Sequence, residues 1–226
     1  MASSIAEPAE SAGSSLSPTV RAATDSPGED LIAALYAQGS ERSRSVDFAL
    51  TRFGCAPLRF ARERGIRLFL LARGQRYSDA SPALLRLGID VDAWPAPPAG
   101  LFVVEERAVY LRSRSSMTTA HEFAHGLDCA LGNGVYRSGI DPELRRLFSG
   151  ATRFVTPYQA CGLDEFWAEA VRAFVDDCND HSSSWPRATR ARLQTLQPEM
   201  YVHVERVLTV EIPQRLSTNS TALKSA

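Results

Sequence analysis

The segment His121-Glu122-Phe123-Ala124-His125 constrains the fold of this chain more than any other feature of its 226 residues. Ser115 or Ser116 can cap a helix that continues to about position 131, where Gly132 can end it. Residues four positions apart share one face of a helix, so both imidazole rings are directed toward a common point. Such a pair suits a Zn²⁺ ion, and the neighbouring glutamate can take a proton from water bound there.

Chance is a weak explanation for this motif. With 4 histidines and 14 glutamates in the chain, roughly 0.004 random matches to His-Glu-x-x-His are expected. The alternative is a structural helix that carries two surface histidines. The other two histidines, His181 and His203, lie outside any motif and are more often ordinary surface or packed residues.

A catalytic zinc usually takes three protein ligands and leaves one position for water. The metzincin pattern would need glycine at Asp128 and histidine at Leu131, so it does not apply here. A better third ligand is an acid on the helix predicted over 164–177, where Glu165 and Glu169 are one turn apart and share a face. From periodicity alone, a solvated acidic stripe explains these two residues equally well.

A resemblance favours the ligand interpretation. The segment His-Glu-Phe-Ala-His, followed by Glu-Phe-Trp-Ala-Glu-Ala-Val-Arg from Glu165 onward, resembles the catalytic domain of anthrax lethal factor. It is similar too to the small Pro-Pro endopeptidases; both are zinc proteases of the gluzincin type. That family has a tyrosine seven residues before the ligand glutamate, and Tyr158 stands there. Ala124 and Trp167 replace the family's usual glycine and phenylalanine, and the similarity extends over about 101–208.

The resemblance implies one Zn²⁺ per chain, held by His121, His125 and Glu165. It also implies that Glu122 is the general base and that the Tyr158 phenol stabilises the tetrahedral oxyanion.

Two further acids are candidates for supporting roles. Glu169 can accept a hydrogen bond from the free ring N–H of His121 and so orient that ligand. Asp128, one turn after His125, can help to position the site, although a surface acid is as good an interpretation.

Periodicity and breaker residues predict a helix-rich α+β domain around a small sheet. The resemblance implies that this domain has a zincin-like metalloprotease fold, with a small mixed sheet and the HExxH motif on its active-site helix. Residues 101–104 and 108–111 are predicted to form a hairpin without glycine. The predicted helices are 30–38, 46–53, 57–64, 115–131, 141–148, 164–177, 187–196 and 198–208, and the first strand is 66–71. Residues 1–28 form a Ser/Ala/Pro-rich tail expected to be disordered, 29–213 the protease domain, and 214–226 a flexible C-terminal tail.

Composition limits the partners. A formal net charge of −1 provides no overall attraction to nucleic acid or anionic lipid. No apolar stretch approaches the ~20 residues of a membrane span. The N-terminus lacks the features of a Sec signal, so the Ser-rich start is either an address for a specialised secretion system or the tail of a cytoplasmic protein. Four scattered cysteines favour reduced, mostly buried thiols.

The predicted function is zinc-dependent hydrolysis of peptide bonds in a polypeptide substrate. A secreted effector or toxin is one candidate for its biological role. The substrate is expected to bind in extended form beside strand 108–111, which it joins as an extra strand. The alternative for this strand is an internal position with both edges paired. The alternative function is a non-catalytic zinc-binding or partner-binding module with the same fold.

Overall fold

The computed structural model of the protein describes residues 27–176, 178–179 and 186–224. Helices surround one small sheet, and a continuous hydrophobic core joins most of them. The helices are α1 (Pro27–Ala33), α2 (Arg44–Thr51), α3 (Cys55–Glu63), α4 (Tyr77–Ala80), α5 (Pro82–Leu87), α6 (Ser116–Leu131), α7 (Pro142–Gly150), α8 (Leu163–Val175), α9 (Arg190–Leu196), α10 (Pro198–Arg206) and α11 (Ile212–Lys224). A π-helical turn, Val207–Glu211, joins the last two.

The sheet has three strands, β1 (Arg67–Leu70), β2 (Gly100–Val103) and β3 (Ala108–Leu111), in the order β1-β3-β2. β3 is parallel to β1 and antiparallel to β2, so the sheet is mixed, as the sequence predicted. The hairpin between β2 and β3 contains no glycine; Arg107 takes the left-handed conformation instead, with φ of 51°.

The position of β3 corrects one prediction. All four residues of β3 are buried, and both of its edges are paired. The expectation that 108–111 borders the cleft and accepts a peptide is therefore wrong, and the alternative of an internal strand is confirmed. The far edge of β1 is covered in part by a bridge from Tyr36 to Leu68. Among the described residues, the outer edge of β2 pairs with no other strand.

The helix that carries the histidines runs through the middle of the core. Its start is capped as predicted, because Ser115 Oγ accepts a hydrogen bond from the Thr118 amide at 3.1 Å. Gly132 ends it, and only glycine fits there, since a Cβ would lie 2.1 Å from the carbonyl oxygen of Val135. Every residue from Thr118 to Leu131 is buried. The motif is thus held rigidly on a core element.

Several other predictions differ from the structure in detail. α1 ends at Ala33 rather than near 38, and α4 and α5 were not predicted. α11 extends through most of 214–226, for which the sequence predicts a flexible tail. The 1–28 tail lies almost wholly outside the described residues, and the proposed domain limits stay predictions.

Two further observations concern the chain as a whole. Among the four cysteines, Cys129 and Cys178 are buried, whereas Cys55 and Cys161 are exposed, so only half of the thiols fit the expectation of burial. In the part of the chain that the structure describes, no helix combines the length and apolarity needed to cross a bilayer.

Candidate metal and active site

Three predicted ligands meet at one point between α6 and α8. His121 Nε2 lies 3.1 Å from His125 Nε2 and 3.1 Å from Glu165 Oε2, and His125 Nε2 lies 3.6 Å from the same oxygen. Trp167, on α8, fixes the two helices together by donating from Nε1 to the carbonyl oxygen of Ala124 at 3.0 Å. These three side chains form a group that could hold a metal ion.

The spacing of the three donor atoms fits a tetrahedral ion. Zinc bonds of about 2.0–2.1 Å place neighbouring ligand atoms roughly 3.3 Å apart, and the observed separations are 3.1, 3.1 and 3.6 Å. Glu165 Oε2 is buried and makes no hydrogen bond of acceptable geometry with a described residue. The three donor atoms therefore lie close enough together to share one ion.

The carboxylates around this centre also favour a positive charge there. Burial alone would lower the pKa of His121, but the carboxylates of Glu165 and Glu169 raise it above its usual range. Burial would raise the pKa of Glu165, whereas the two histidines hold it well below normal. A bound cation would satisfy the same need without protonation of a ring.

Glu169 occupies the supporting position predicted for it. Its Oε1 lies 2.9 Å from His121 Nδ1, which fixes that nitrogen as the N–H donor and leaves Nε2 with its lone pair toward the centre. Arg172 donates two hydrogen bonds to Glu169, at 2.9 and 2.7 Å, and Thr156 Oγ1 donates another at 2.5 Å. Burial raises the pKa of Glu169, but the hydrogen bonds from His121 and Arg172 outweigh it and keep this carboxyl ionised.

Glu122 lies beside the histidines at the wall of a cavity of about 410 Å³. Burial raises the pKa of Glu122, and the nearby histidines and the backbone N–H of Phe102 partly oppose that shift. β2 approaches this side chain so closely that a Cβ on Gly100 would lie 2.6 Å from Glu122 Cγ and 2.7 Å from Thr118 Cγ2. Glycine at this position allows the edge strand to reach the general-base candidate.

Tyr158 lies in a short 3₁₀ turn, Tyr158–Ala160, which comes shortly before α8. Its ring centroid is 5.5 Å from that of His121, and its side chain is partly exposed to the same cavity. Burial and the carboxylate of Glu165 raise the pKa of Tyr158, so the hydroxyl keeps its proton at neutral pH. The protonated hydroxyl can act as a hydrogen-bond donor.

A buried amide anchors the Tyr158 turn. Gln159 accepts a hydrogen bond from the Val155 amide at 2.8 Å and donates to the carbonyl oxygen of Phe166 at 3.3 Å. It also pairs with the side chain of Gln197, at 2.9 Å. These bonds fix the loop to α8 and to the junction of α9 and α10.

Asp128 is buried, so its interpretation as a surface acid is wrong. It accepts hydrogen bonds from the Ser138 amide at 2.9 Å and the Ser138 hydroxyl at 2.5 Å. Burial raises the pKa of Asp128 to about 6, although both bonds from Ser138 lower it. The residue holds the loop after α6, from which Tyr136 places its ring 5.6 Å from that of His125.

His203 does not join the site. His203 is buried against Trp167, with Nδ1 3.2 Å from a Glu143 carboxylate oxygen, which confirms a packed histidine. His181 lies outside the described residues.

The sequence interpretation missed four contributors to the site. Arg172 follows Glu169 by three residues, and that spacing was a usable signal for a pair on one helix. Thr156, Tyr136 and Gly100 offered no such signal, because only the tertiary fold brings them to the histidines.

Comparison with known proteins supports the fold. Neither a scan against protein-family models nor a search of curated proteins finds a match. Among solved structures, the Pro-Pro endopeptidase of Paenibacillus alvei is similar, with a TM-score of 0.55 and 19% sequence identity. The match covers 78% of this chain and 99% of that one. The α+β, zincin-like fold is thereby confirmed; the resemblance to lethal factor stays a prediction.

Proposed function

We propose that this protein is a zinc-dependent endopeptidase. One observation carries the proposal: three donor atoms converge beside a buried glutamate in a cleft, at separations that suit a tetrahedral ion. Two imidazole nitrogens and one carboxylate oxygen form a ligand set typical of catalytic zinc, which keeps one position for water. The fold shared with a Pro-Pro endopeptidase agrees with this assignment.

The proposed ligands are His121, His125 and Glu165, holding one Zn²⁺ per chain. When bound, zinc supplies Lewis acidity for the scissile carbonyl and lowers the pKa of water toward ~7. The remaining chemistry belongs to residues of the chain. Glu169 keeps His121 in the tautomer whose Nε2 faces the centre, and Arg172 keeps Glu169 ionised.

Glu122 acts as the general base. It takes the proton of the attacking water and transfers it to the nitrogen of the departing amine as the C–N bond breaks. Its raised pKa, caused mainly by burial, brings it closer to the pH at which a carboxyl both accepts and returns a proton. Tyr158 donates a hydrogen bond to the oxyanion, a contribution of roughly 2.7–4 kcal/mol for a single donor.

The substrate lies along the outer edge of β2 rather than along β3. An extended peptide would extend the sheet at this edge, and its backbone would bind largely without regard to sequence. Gly100 is the point where this edge meets Glu122, so the scissile bond lies beside it. The role of a secreted effector or toxin depends on the Ser-rich start alone and stays a proposal.

Cleavage of a peptide library by the zinc-loaded protein tests the function. We expect cleavage at internal peptide bonds by wild type and a loss of at least about 100-fold in Glu122→Gln, with folding and metal content unchanged. The exposed Glu63→Gln is the matched control and should cleave normally. A wild type that binds zinc but cleaves no peptide would support the non-catalytic zinc-binding or partner-binding module instead.

A further inference from the structure

A second cavity, of about 620 Å³, lies at the end of the sheet. We call it the arginine pocket, since four arginines line it, together with Asp92: Arg73, Arg76, Arg112 and Arg114. Three segments build it: the loop after β1, the residues between β3 and α6, and the short turn that carries Asp92. Because the whole chain has a net charge of −1, this concentration of positive charge is local.

Two of these arginines are neutralised within the protein. Arg76 pairs with Asp90, and Arg112 pairs with Asp92. Arg112 also stacks over the ring of Tyr77 at 4.5 Å, and the Tyr77 amide donates to Asp92 at 2.8 Å. These contacts hold the walls of the pocket.

The other two have no counter-ion among the described residues. Arg73 and Arg114 are exposed, and neither side chain makes an ion pair or hydrogen bond with any residue in the described ranges. Two guanidinium groups therefore face one cavity with their donors available. Guanidinium donors match the geometry of carboxylate and phosphate groups.

The arginine pocket is next to the active-site cleft. The Arg112 and Ser113 amides donate to the carbonyl oxygen of Ala99 at 3.0 and 2.8 Å. Ala99 in turn lines the cleft, beside Gly100 and Glu122. The same short segment thus separates the two cavities, and a chain that passes along β2 reaches the pocket beyond Gly100.

The geometry points to a subsite for an acidic side chain of the substrate, which Arg73 and Arg114 bind. This inference rests on the proposed peptidase function. The rise of 1.5 Å per residue in α6 places Ser116 about 9 Å from Glu122. Arg114 comes two residues before Ser116, and an extended peptide advances about 3.3 Å per residue. The acidic residue therefore lies about three or four residues from the scissile bond.

The direction of the substrate follows from pairing at β2. Antiparallel pairing is the more stable arrangement, and β2 starts at its pocket end with Gly100. A peptide antiparallel to β2 therefore has its C-terminal part toward the pocket. The acidic residue follows the scissile bond, and it can carry either a carboxylate or a phosphate.

Cleavage profiles of an unbiased peptide library test the inference on the zinc-loaded protein. We expect wild type to enrich Asp and Glu at the third or fourth residue after the cleaved bond. Arg73→Gln/Arg114→Gln should lose that enrichment, while the control Arg59→Gln/Arg62→Gln, on exposed positions of α3, should retain it. An exposed ion pair changes affinity by a factor of about 1.4 to 5, so the loss of two pairs in the pocket variant should raise KM for the best acidic peptide about two- to 25-fold.

Two additional measurements sharpen the test. The preference for the acidic peptide should decline between 0.05 and 0.5 M salt, because screening weakens exposed charge pairs. Replacing the acidic residue by phosphoserine tells which anion the site prefers, and faster cleavage of either peptide than of its alanine version supports the subsite.

Three results would overturn the inference. Robust, Glu122-dependent cleavage without acidic enrichment after the scissile bond would remove the subsite and leave the peptidase function intact. Absence of all cleavage by wild type would contradict the peptidase function, and the subsite would fall with it. An unbiased profile, together with Arg73- and Arg114-dependent binding of an oligonucleotide or an anionic vesicle, would assign the pocket to a different partner.

Discussion

Arg172→Met should destabilise the protein strongly, although residue 172 makes no direct contact with the proposed metal. Arg172 and Glu169 are each only 3% exposed and share two charge-assisted hydrogen bonds, at 2.9 and 2.7 Å. Methionine fills a similar volume but leaves the carboxylate without its cation. Removing one partner from a buried pair costs about 3–5 kcal/mol, because the other charge stays buried and uncompensated.

An exposed pair of the same type provides the control. Arg206 lies 2.6 Å from Glu143, and both side chains are about half exposed. Arg206→Met should therefore lower the free energy of unfolding by no more than about 1 kcal/mol. Urea denaturation followed by far-UV circular dichroism measures both variants, and equal slopes against urea would show that stability alone has changed.

The two variants should also separate in thermal unfolding. For a domain of this size, 1 kcal/mol corresponds to roughly 2–4 °C, so Arg172→Met should lower Tm by roughly 6–20 °C and Arg206→Met by at most about 4 °C. If Arg172→Met lost no more stability than Arg206→Met, Glu169 would not depend on Arg172 for its charge. The proposed orientation of His121 by Glu169 would then be wrong as well.

Three further predictions follow from contacts at the site. Tyr158→Phe should lower kcat and kcat/KM together by about 100-fold or more, with KM and zinc content unchanged. Normal turnover of this variant in steady-state kinetics would show that Tyr158 only packs against its neighbours. Gly100→Ala should displace the Glu122 side chain and abolish cleavage or folding, whereas Gly139→Ala, whose Cβ would meet nothing within 4 Å, should be neutral in both assays. Burial raises the pKa of Asp128 to about 6 from 3.8, so the contribution of Asp128 to stability falls as pH rises through that range. Asp128→Asn should therefore reduce the change in the free energy of unfolding across this pH range by up to about 3 kcal/mol. An unchanged pH dependence would refute this.

The part of the site that could be predicted lies on single elements. His121 and His125 share a face because helical geometry fixes residues four apart, and Ser115 and Gly132 mark the limits of that helix. The contact between Glu169 and His121 joins α8 to α6. This contact was predicted once Glu169 had been placed one turn after the proposed ligand Glu165. Local periodicity was sufficient for the histidine pair and the limits of its helix, whereas the resemblance was needed to choose the acids on the second helix.

The part that could not be predicted depends on how elements pack. Strand order is set by which edges the helices and loops cover, so the apolar segment 108–111 could be central or at an edge until the sheet was assembled. The same limit applies to Gly100, whose role comes from the approach of β2 to Glu122. The short helices α4 and α5 contain only 4 and 6 residues, too few to give a clear periodic pattern.

Metal content of the Glu165 variant is the decisive measurement for the proposed zinc site. Each protein is loaded with zinc, dialysed against metal-free buffer and analysed for zinc per chain by mass spectrometry. We expect one zinc per chain in wild type. Glu122→Gln and the exposed control Glu63→Ala should bind one zinc as well, because neither change removes a donor atom. Glu165→Ala, which loses one of the three converging donors, should retain little zinc while keeping its far-UV spectrum. Full zinc occupancy in a folded Glu165→Ala protein would contradict the proposed metal centre.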